Sequence, residues 1–70
     1  MGYRNGDETV VIEDARKVGP ASAKAELFEI NGVEMWLPKS QCYGKEGPYG
    51  DDLDMYELVV SQWWAGKNGL

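Results

Sequence analysis

The chain has 70 residues, with twelve acidic side chains against seven basic ones and a net charge of −5. A chain of this length forms at most one domain and buries only about 60% of the surface it exposes when unfolded, which leaves little room for an enclosed substrate cavity. The acidic balance argues against a phosphate-binding surface, because non-specific affinity for nucleic acid comes from clustered Lys and Arg.

The cysteine and histidine content excludes two common ways of stabilising a small domain. The single cysteine, Cys42, excludes an internal disulfide, and the absence of histidine excludes the common zinc-ligand sets. A lone cysteine fits a reducing compartment. The first ten residues lack the pattern of a signal peptide, and no apolar run is long enough to span a membrane. We therefore expect a cytoplasmic protein with no membrane partner.

The first elements of the chain are a polar arm and a strand. Residues 1–8 are predicted to form a flexible N-terminal arm, which leaves 9–70 as the single domain. The β-branched run TVVIE at 9–13 predicts a first strand that can extend toward Val18. Gly19-Pro20 then interrupts the chain.

Residues 23–38 predict a β-hairpin that turns at Asn31-Gly32, since a two-residue type I′ turn needs positive φ at both positions. The turn predicts the pairs Ile30–Val33, Phe28–Met35 and Glu26–Leu37 on one face, and Glu29–Glu34, Leu27–Trp36 and Ala25–Pro38 on the other. Both faces carry apolar pairs, which favours a twisted ribbon inside a small barrel. Trp36 is the expected centre of the core.

Residues 44–54, GKEGPYGDDLD, are rich in glycine and acids and predict a long exposed loop. MYELVV at 55–60 returns to strand character, and Ser61 is the expected N-cap of a helical turn over 62–65, which Gly66 ends. The predicted fold class is mainly β. We expect a small, partly open antiparallel β-barrel of the Src-homology or oligonucleotide-binding type, with a short C-terminal helical turn.

No residue set predicts catalysis. There is no histidine to act as a base near neutral pH, and Cys42 is expected to be a small half-buried side chain. No glycine-rich phosphate loop occurs. We expect no enzyme, no catalytic residue, no cofactor and no metal.

The first candidate partner-binding residues are Glu29 and Glu34, which face each other across the predicted hairpin. Like charges in this position cost up to about 1 kcal/mol, so the pair could serve to meet a basic partner or to hold a divalent cation. The alternative is that both side chains extend into water at the hairpin tip.

A second acidic group comprises Asp51, Asp52 and Asp54, followed by Glu57. These residues lack the ligand spacing of a calcium-binding helix-loop-helix, and we expect no metal there. The remaining alternatives are a solvated loop and an acidic loop that mimics nucleic-acid phosphates for a basic partner.

Aromatic residues supply the remaining candidates. One helical turn cannot fully bury both Trp63 and Trp64 in so small a domain. One of these two, or Tyr49 in the predicted loop, is therefore expected to be a binding hot spot.

One segment carries a family resemblance. WLPKSQ at 36–41, preceded by the ING turn and followed by ELVVSQWWAGKNGL at 57–70, is similar to small phage and mobile-element proteins. These share a strand–turn–W-[LI]-P-K-S-Q core and a closing strand with a Trp-containing turn and a terminal G-L. The resemblance covers residues 24–70 and implies a compact β-rich module, without implying an activity.

Together these features favour a non-enzymatic protein-binding module of phage or mobile-element type. We expect an acidic inhibitor of a host nucleic-acid-handling or defence complex, comparable to an anti-CRISPR protein, which contacts a basic surface of that complex. One alternative is a single-stranded nucleic-acid-binding accessory protein that uses the lysines flanking Trp36 and exposed aromatic rings. The other is a structural module that forms a homodimer through an edge strand or through Trp63 and Trp64.

Overall fold

The computed structural model describes residues 8–70, which form one five-stranded antiparallel sheet and a short helix. The strands are β1 (Thr9–Lys17), β2 (Ala25–Ile30), β3 (Val33–Pro38), β4 (Cys42–Tyr49) and β5 (Met55–Ser61). A 3-10 turn (Lys39–Gln41) joins β3 to β4, and helix α1 (Gln62–Lys67) follows β5. The predicted mainly β fold with a C-terminal helix is confirmed. The predicted arm, residues 1–8, lies outside the described residues except for Glu8.

The hairpin of β2 and β3 has the predicted register. All six cross-strand pairs occur, from Ile30–Val33 beside the turn to Ala25–Pro38 at the far end. Asn31 and Gly32 have φ angles of 54° and 81°, the positive values that a type I′ turn requires.

The connection between β3 and β4 makes the sheet curl. The order across the sheet is β3-β2-β1-β5-β4, so the two edge strands are consecutive in the chain and are separated by only three residues. Four Cα–Cα steps span at most about 15 Å. The edge strands of a flat five-stranded sheet would lie about 19 Å apart. The end of β3 therefore meets the start of β4 at one corner of a strongly curved sheet.

The curved sheet is not closed by strand pairing, so the predicted partly open barrel is not confirmed. At the free edge of β3, the indole Nε1 of Trp64 donates a hydrogen bond to the carbonyl oxygen of Trp36 at 3.2 Å. Helix α1, rather than β4, thus contacts this edge.

Strand β1 bends at a bulge between Ile12 and Ala15. Asp14, within the bulge, has a φ of 62°. Strand β1 pairs with β5 on both sides of the bulge but with β2 only at Arg16 and Lys17. The β2–β3 hairpin and the three strands β1, β5 and β4 therefore meet along a short seam and enclose the core between them.

The core combines apolar side chains from both halves of the sheet with two residues of α1. Its members are Ile12, Ala15, Phe28, Ile30, Met35, Leu37, Leu58, Val60, Trp64 and Ala65. Trp64 is 4% exposed and is the largest of them.

The prediction that Trp36 is the centre of the core is wrong. Its side chain is 51% exposed, between the buried residues Met35 and Leu37. Side chains alternate along a strand, so burial of these neighbours places Trp36 on the outer face, the face turned away from the core.

The predicted loop over residues 44–54 is also wrong for most of its length. Residues up to Tyr49 belong to β4, which pairs with β5 from Cys42 onward, and only 50–54 form a turn. Gly47 has a φ of 136°, and a Cβ there would lie 2.7 Å from the carbonyl oxygen of Met55. The glycine therefore permits a close backbone approach within an irregular edge strand.

Ser61 caps α1 as predicted. Its Oγ accepts a hydrogen bond from the backbone N–H of Trp64 at 3.0 Å and donates one to Oε1 of Gln41 in the 3-10 turn. The helix continues through Gly66 to Lys67, two residues beyond the predicted end.

A buried carboxylate joins strands that are not neighbours in the sheet. Glu26 of β2 is 8% exposed, and its oxygens lie 3.3 Å from Nζ of Lys17 and 3.0 Å from Nζ of Lys45. Two strands separate β2 from β4 in the sheet order, so the contact with Lys45 requires the curl. Burial opposes ionisation of Glu26, but hydrogen bonds and charges from the two lysines outweigh it and lower the pKa of this carboxyl.

We predict that Trp64→Ala lowers the free energy of unfolding by about 3–5 kcal/mol, because it leaves a cavity in the core. Urea denaturation followed by circular dichroism measures this loss. Trp63→Ala is the matched control, since Trp63 is 53% exposed, and should change stability by less than about 1 kcal/mol. Equal losses in the two variants would contradict the burial of Trp64.

We predict that Glu26→Gln costs about 1–3 kcal/mol at neutral pH and that this cost depends on pH. The folded-state pKa of Glu26 lies below the unfolded value of 4.5. Its contribution is therefore complete above that pH and is lost as the pH falls through the folded-state pKa. Urea titrations at a series of pH values should show the two proteins converging in acid. A gap that stays constant into strong acid would contradict the role of the ionised carboxylate.

Candidate functional site

Four carboxylates and a tyrosine surround a shallow, open cleft of about 480 Å³ on the outer face of β1, β5 and β4. We call the four carboxylates the acidic face. They are Glu13, Asp14, Glu46 and Glu57, and Gly47 and Tyr49 complete the lining. Because these side chains stand on strands of one sheet, their arrangement is set by strand pairing and not by a loop.

Strand register brings the carboxylates together. Glu46 lies directly opposite Glu57, and the β1 bulge places both Glu13 and Asp14 between the pairs Ile12–Leu58 and Ala15–Tyr56. Two carboxylates of β1 thus oppose the one on β5. Glu57 is the centre of the group, with negative charge on both neighbouring strands.

Tyr49 connects β4 to the bulge of β1. Its hydroxyl donates to Oδ1 of Asp14 at 3.0 Å and accepts from the backbone N–H of Asp14 at 3.1 Å. The bond from this N–H lowers the pKa of Tyr49, but desolvation and the negative charges of Asp14 and Glu57 outweigh it and raise the pKa overall. The phenol therefore keeps its proton and holds Asp14 in place.

Within residues 8–70, the basic side chains that form ion pairs do so with carboxylates outside the acidic face. Lys17 and Lys45 contact Glu26, and Arg16 contacts Glu29 and Asp54. No lysine or arginine of this range lies within ion-pair distance of the acidic face. Within residues 8–70, therefore, no ion pair offsets its charge.

Glu29 and Glu34 lie opposite each other as predicted. Arg16 stands on the other side of Glu29, with its guanidinium 3.9 Å from the Glu29 carboxylate. A cation within the chain thus offsets the repulsion that made this pair a candidate. Glu34 remains exposed beside the turn.

The three aspartates of the second predicted group have different environments. Asp51 and Asp52 are exposed in the turn between β4 and β5. Asp54 is half-buried, its carboxylate lies 3.5 Å from Nε of Arg16, and its carbonyl oxygen accepts from the N–H of Lys17 at 2.8 Å. Asp54 therefore stabilises the junction with β1, and only the other two can reach a partner freely.

The three aromatic candidates differ in their exposure. Trp64 is buried, so it is not accessible to a partner. Trp63 is exposed, with Nζ of Lys67 4.7 Å from its ring centroid. Tyr49 is 39% exposed and belongs to the cleft of the acidic face.

Glu13, Asp14 and Glu46 are not among the site residues predicted from the sequence. Glu46 falls in the segment predicted as a loop, and its pairing with Glu57 depends on register shifts on both sides of it. The two β1 residues face outward together because of the bulge. One sequence pattern could have pointed to the acidic face. Glu57 alternates with Tyr56 and Leu58 along β5, which places Glu57 on the outer face.

The acidic face presents carboxylates and a phenol, and the thiol of Cys42 lies outside its lining. Burial raises the pKa of the Cys42 thiol, so this side chain is a poor nucleophile at neutral pH. Within residues 8–70, no group of three or more acidic or cysteine side chains has an arrangement suited to a metal ion. The acidic face can attract a positively charged surface through its field.

No family model, curated protein or solved structure matches the chain. The resemblance to phage and mobile-element proteins therefore stays a prediction. The helix described within 8–70 falls far short of the length needed to cross a membrane.

We predict that Glu57→Gln raises the free energy of unfolding by a few tenths to about 1 kcal/mol at low salt, because it removes like charges that face each other across strands. Urea denaturation, which leaves ionic strength unchanged, measures the gain. It should shrink near 1 M salt, where the Debye length is about 3 Å. Asp52→Asn removes the same charge from the exposed turn and serves as the control. An equal gain in the control would contradict clustered repulsion.

Proposed function

We propose that this chain is a non-enzymatic protein-binding module whose acidic face contacts a basic, nucleic-acid-binding groove on another protein. The proposed setting is phage or mobile-element biology in the cytoplasm of a bacterial host, where the module inhibits a nucleic-acid-handling or defence complex. The observation that carries the proposal is the placement of four carboxylates on one sheet surface, with no ion pair to a basic residue of the described range.

The spacing of these charges supports mimicry of nucleic acid. Glu13, Glu57 and Glu46 stand on three adjacent strands, which are about 4.8 Å apart in a sheet. A DNA strand carries one phosphate per about 3.4 Å of helix axis. A groove lined with Lys and Arg would therefore meet a comparable density of negative charge.

Apolar contacts adjoin the acidic face. Val11 is 56% exposed and lies opposite Val59, two residues along the strands from Glu13 and Glu57 on the same face. Exposed charges mainly raise the association rate, so an apolar contact is needed for a long-lived complex. This valine pair provides one next to the charges.

The single-stranded nucleic-acid alternative has less support. Trp36 is exposed, and Lys24 and Lys39 lie together at the end of the same hairpin. A stacking ring and two cations are the components such a site needs. However, Glu29 and Glu34 share the outer face with Trp36 and would repel phosphates.

The test of the proposal uses the acidic face itself. The triple variant Glu13→Gln, Glu46→Gln, Glu57→Gln keeps the side-chain shapes and removes three charges. Proteins captured from a bacterial lysate by the wild type are purified, and displacement of a labelled oligonucleotide from them is measured by fluorescence polarisation. We expect the wild type to displace the oligonucleotide and the triple variant to do so about tenfold more weakly or worse.

The double variant Asp51→Asn, Asp52→Asn is the matched control, because it removes charge from the exposed turn and should stay close to the wild type. Displacement by the wild type should weaken as salt rises. Equal potency of the triple variant, or capture only of proteins that do not bind nucleic acid, would refute the proposal.

A further inference from the structure

The free edge of β4 adjoins the acidic face and can accept a further strand. Within residues 8–70, the backbone of 43–49 forms hydrogen bonds with no strand other than β5. The other edge of the sheet, on β3, is less available. There the carbonyl oxygen of Trp36 accepts the indole N–H of Trp64, and Pro38 has no N–H to donate.

The hydrogen-bond alternation of the sheet shows which backbone groups face the free edge. The N–H of Gln62 donates to the carbonyl oxygen of Glu8 at 2.6 Å. Bonded and non-bonded pairs alternate along an antiparallel ladder, and counting from this bond assigns Leu58 to bonds with β1. Lys45 lies opposite Leu58, so Lys45 directs its N–H and its carbonyl oxygen away from β5, to the free edge.

The part of the edge that can pair is short and centred on Lys45. The side chain of Lys45 points to the core side, where Nζ lies 3.0 Å from Oε1 of Glu26, and not along the outer face. Toward the end of β4, Gly47 has a φ of 136° and Pro48 has no N–H to donate. A partner strand therefore pairs with residues 44–46.

The neighbours of Lys45 determine the chemistry of that strand. The partner residues on either side of the central one place their side chains on the outer face, beside Gly44 and Glu46. Glu46 belongs to the acidic face and favours Lys or Arg. Gly44 has no side chain and lies opposite Val59, which pairs with the exposed Val11. An apolar side chain therefore fits beside Gly44.

A second copy of this chain has the wrong charge for this edge. Two β4 strands related by a two-fold axis at Lys45 would pair that lysine with itself. They would also bring both acidic faces to the same side of the joined sheet, where the carboxylates repel each other. The charge pattern therefore selects a basic segment of another protein.

We propose that β4 binds an extended segment of the partner protein by antiparallel strand addition at Lys45. The segment carries, in chain order, a Lys or Arg beside Glu46, any residue opposite Lys45 and an apolar residue beside Gly44. It rests on the proposed function, because the segment belongs to the protein whose basic groove meets the acidic face. The backbone hydrogen bonds fix the position of the segment, and the charges attract it.

Titration of the isotope-labelled full chain with a peptide, followed by amide chemical shifts in NMR spectra, tests strand addition. The probe is the acetylated, amidated pentapeptide TRTVT, added to about 10 mM, since a contact this short is expected to bind in the millimolar range. The amide proton of Lys45 should shift most, because it gains a hydrogen bond. The same peptide with an N-methyl group on its central residue keeps the side chains and the charge. It lacks the N–H that donates to Lys45 and should bind about tenfold more weakly or worse.

Two protein variants test the charged contact. Glu46→Gln should weaken binding of the unmodified peptide about two- to fivefold, as expected for an exposed ion pair. Glu34→Gln is the matched control, because it removes an exposed carboxylate from β3 and should bind as the wild type does.

Strand addition would be overturned by any of three results: no shift at Lys45 at the highest peptide concentration, equal binding of the N-methylated peptide, or equal binding of the peptide by Glu46→Gln and Glu34→Gln. A Lys45 shift that grows with protein concentration in the absence of peptide would show self-pairing and would overturn it as well. The oligonucleotide displacement measured with the triple variant is independent of these peptides. Failure of strand addition is thus distinguishable from failure of the proposed function.

Discussion

The three-residue connection between β3 and β4 determines the shape of this molecule. It joins the two edges of a five-stranded sheet within residues 8–70, and the sheet can satisfy it only by curling. The curl brings Lys45 to the buried carboxylate of Glu26 and encloses Phe28 and Leu58 in the core. It also exposes Trp36 on the convex side. Hydrogen bonding does not complete the ring, and Trp64 of α1 contacts the free edge instead.

The same curl separates the charges of the chain. Lys17 and Lys45 turn inward, where they compensate Glu26, so their positive charge is unavailable to the outer face. Glu46 and Glu57 turn outward on neighbouring strands and repel each other. A structure selected for stability alone gains nothing from that repulsion. Within residues 8–70 the acidic face has no ion-pair partner, and the proposed binding function uses this charge.

Features that depend on contacts within a few residues are predictable from the sequence, whereas features that depend on the curl of the whole sheet are not. The hairpin register and the Ser61 cap follow from contacts within a few residues, and both predictions are confirmed. The orientation of Trp36 does not follow from such local contacts. Both faces of the hairpin are apolar, and only the curl of the sheet determines which face is buried. The glycine content of β4 is typical of a loop, and only the pairing of this segment with β5 shows that it is a strand. The acidic face depends on bulges in two strands, so no single segment contains its pattern.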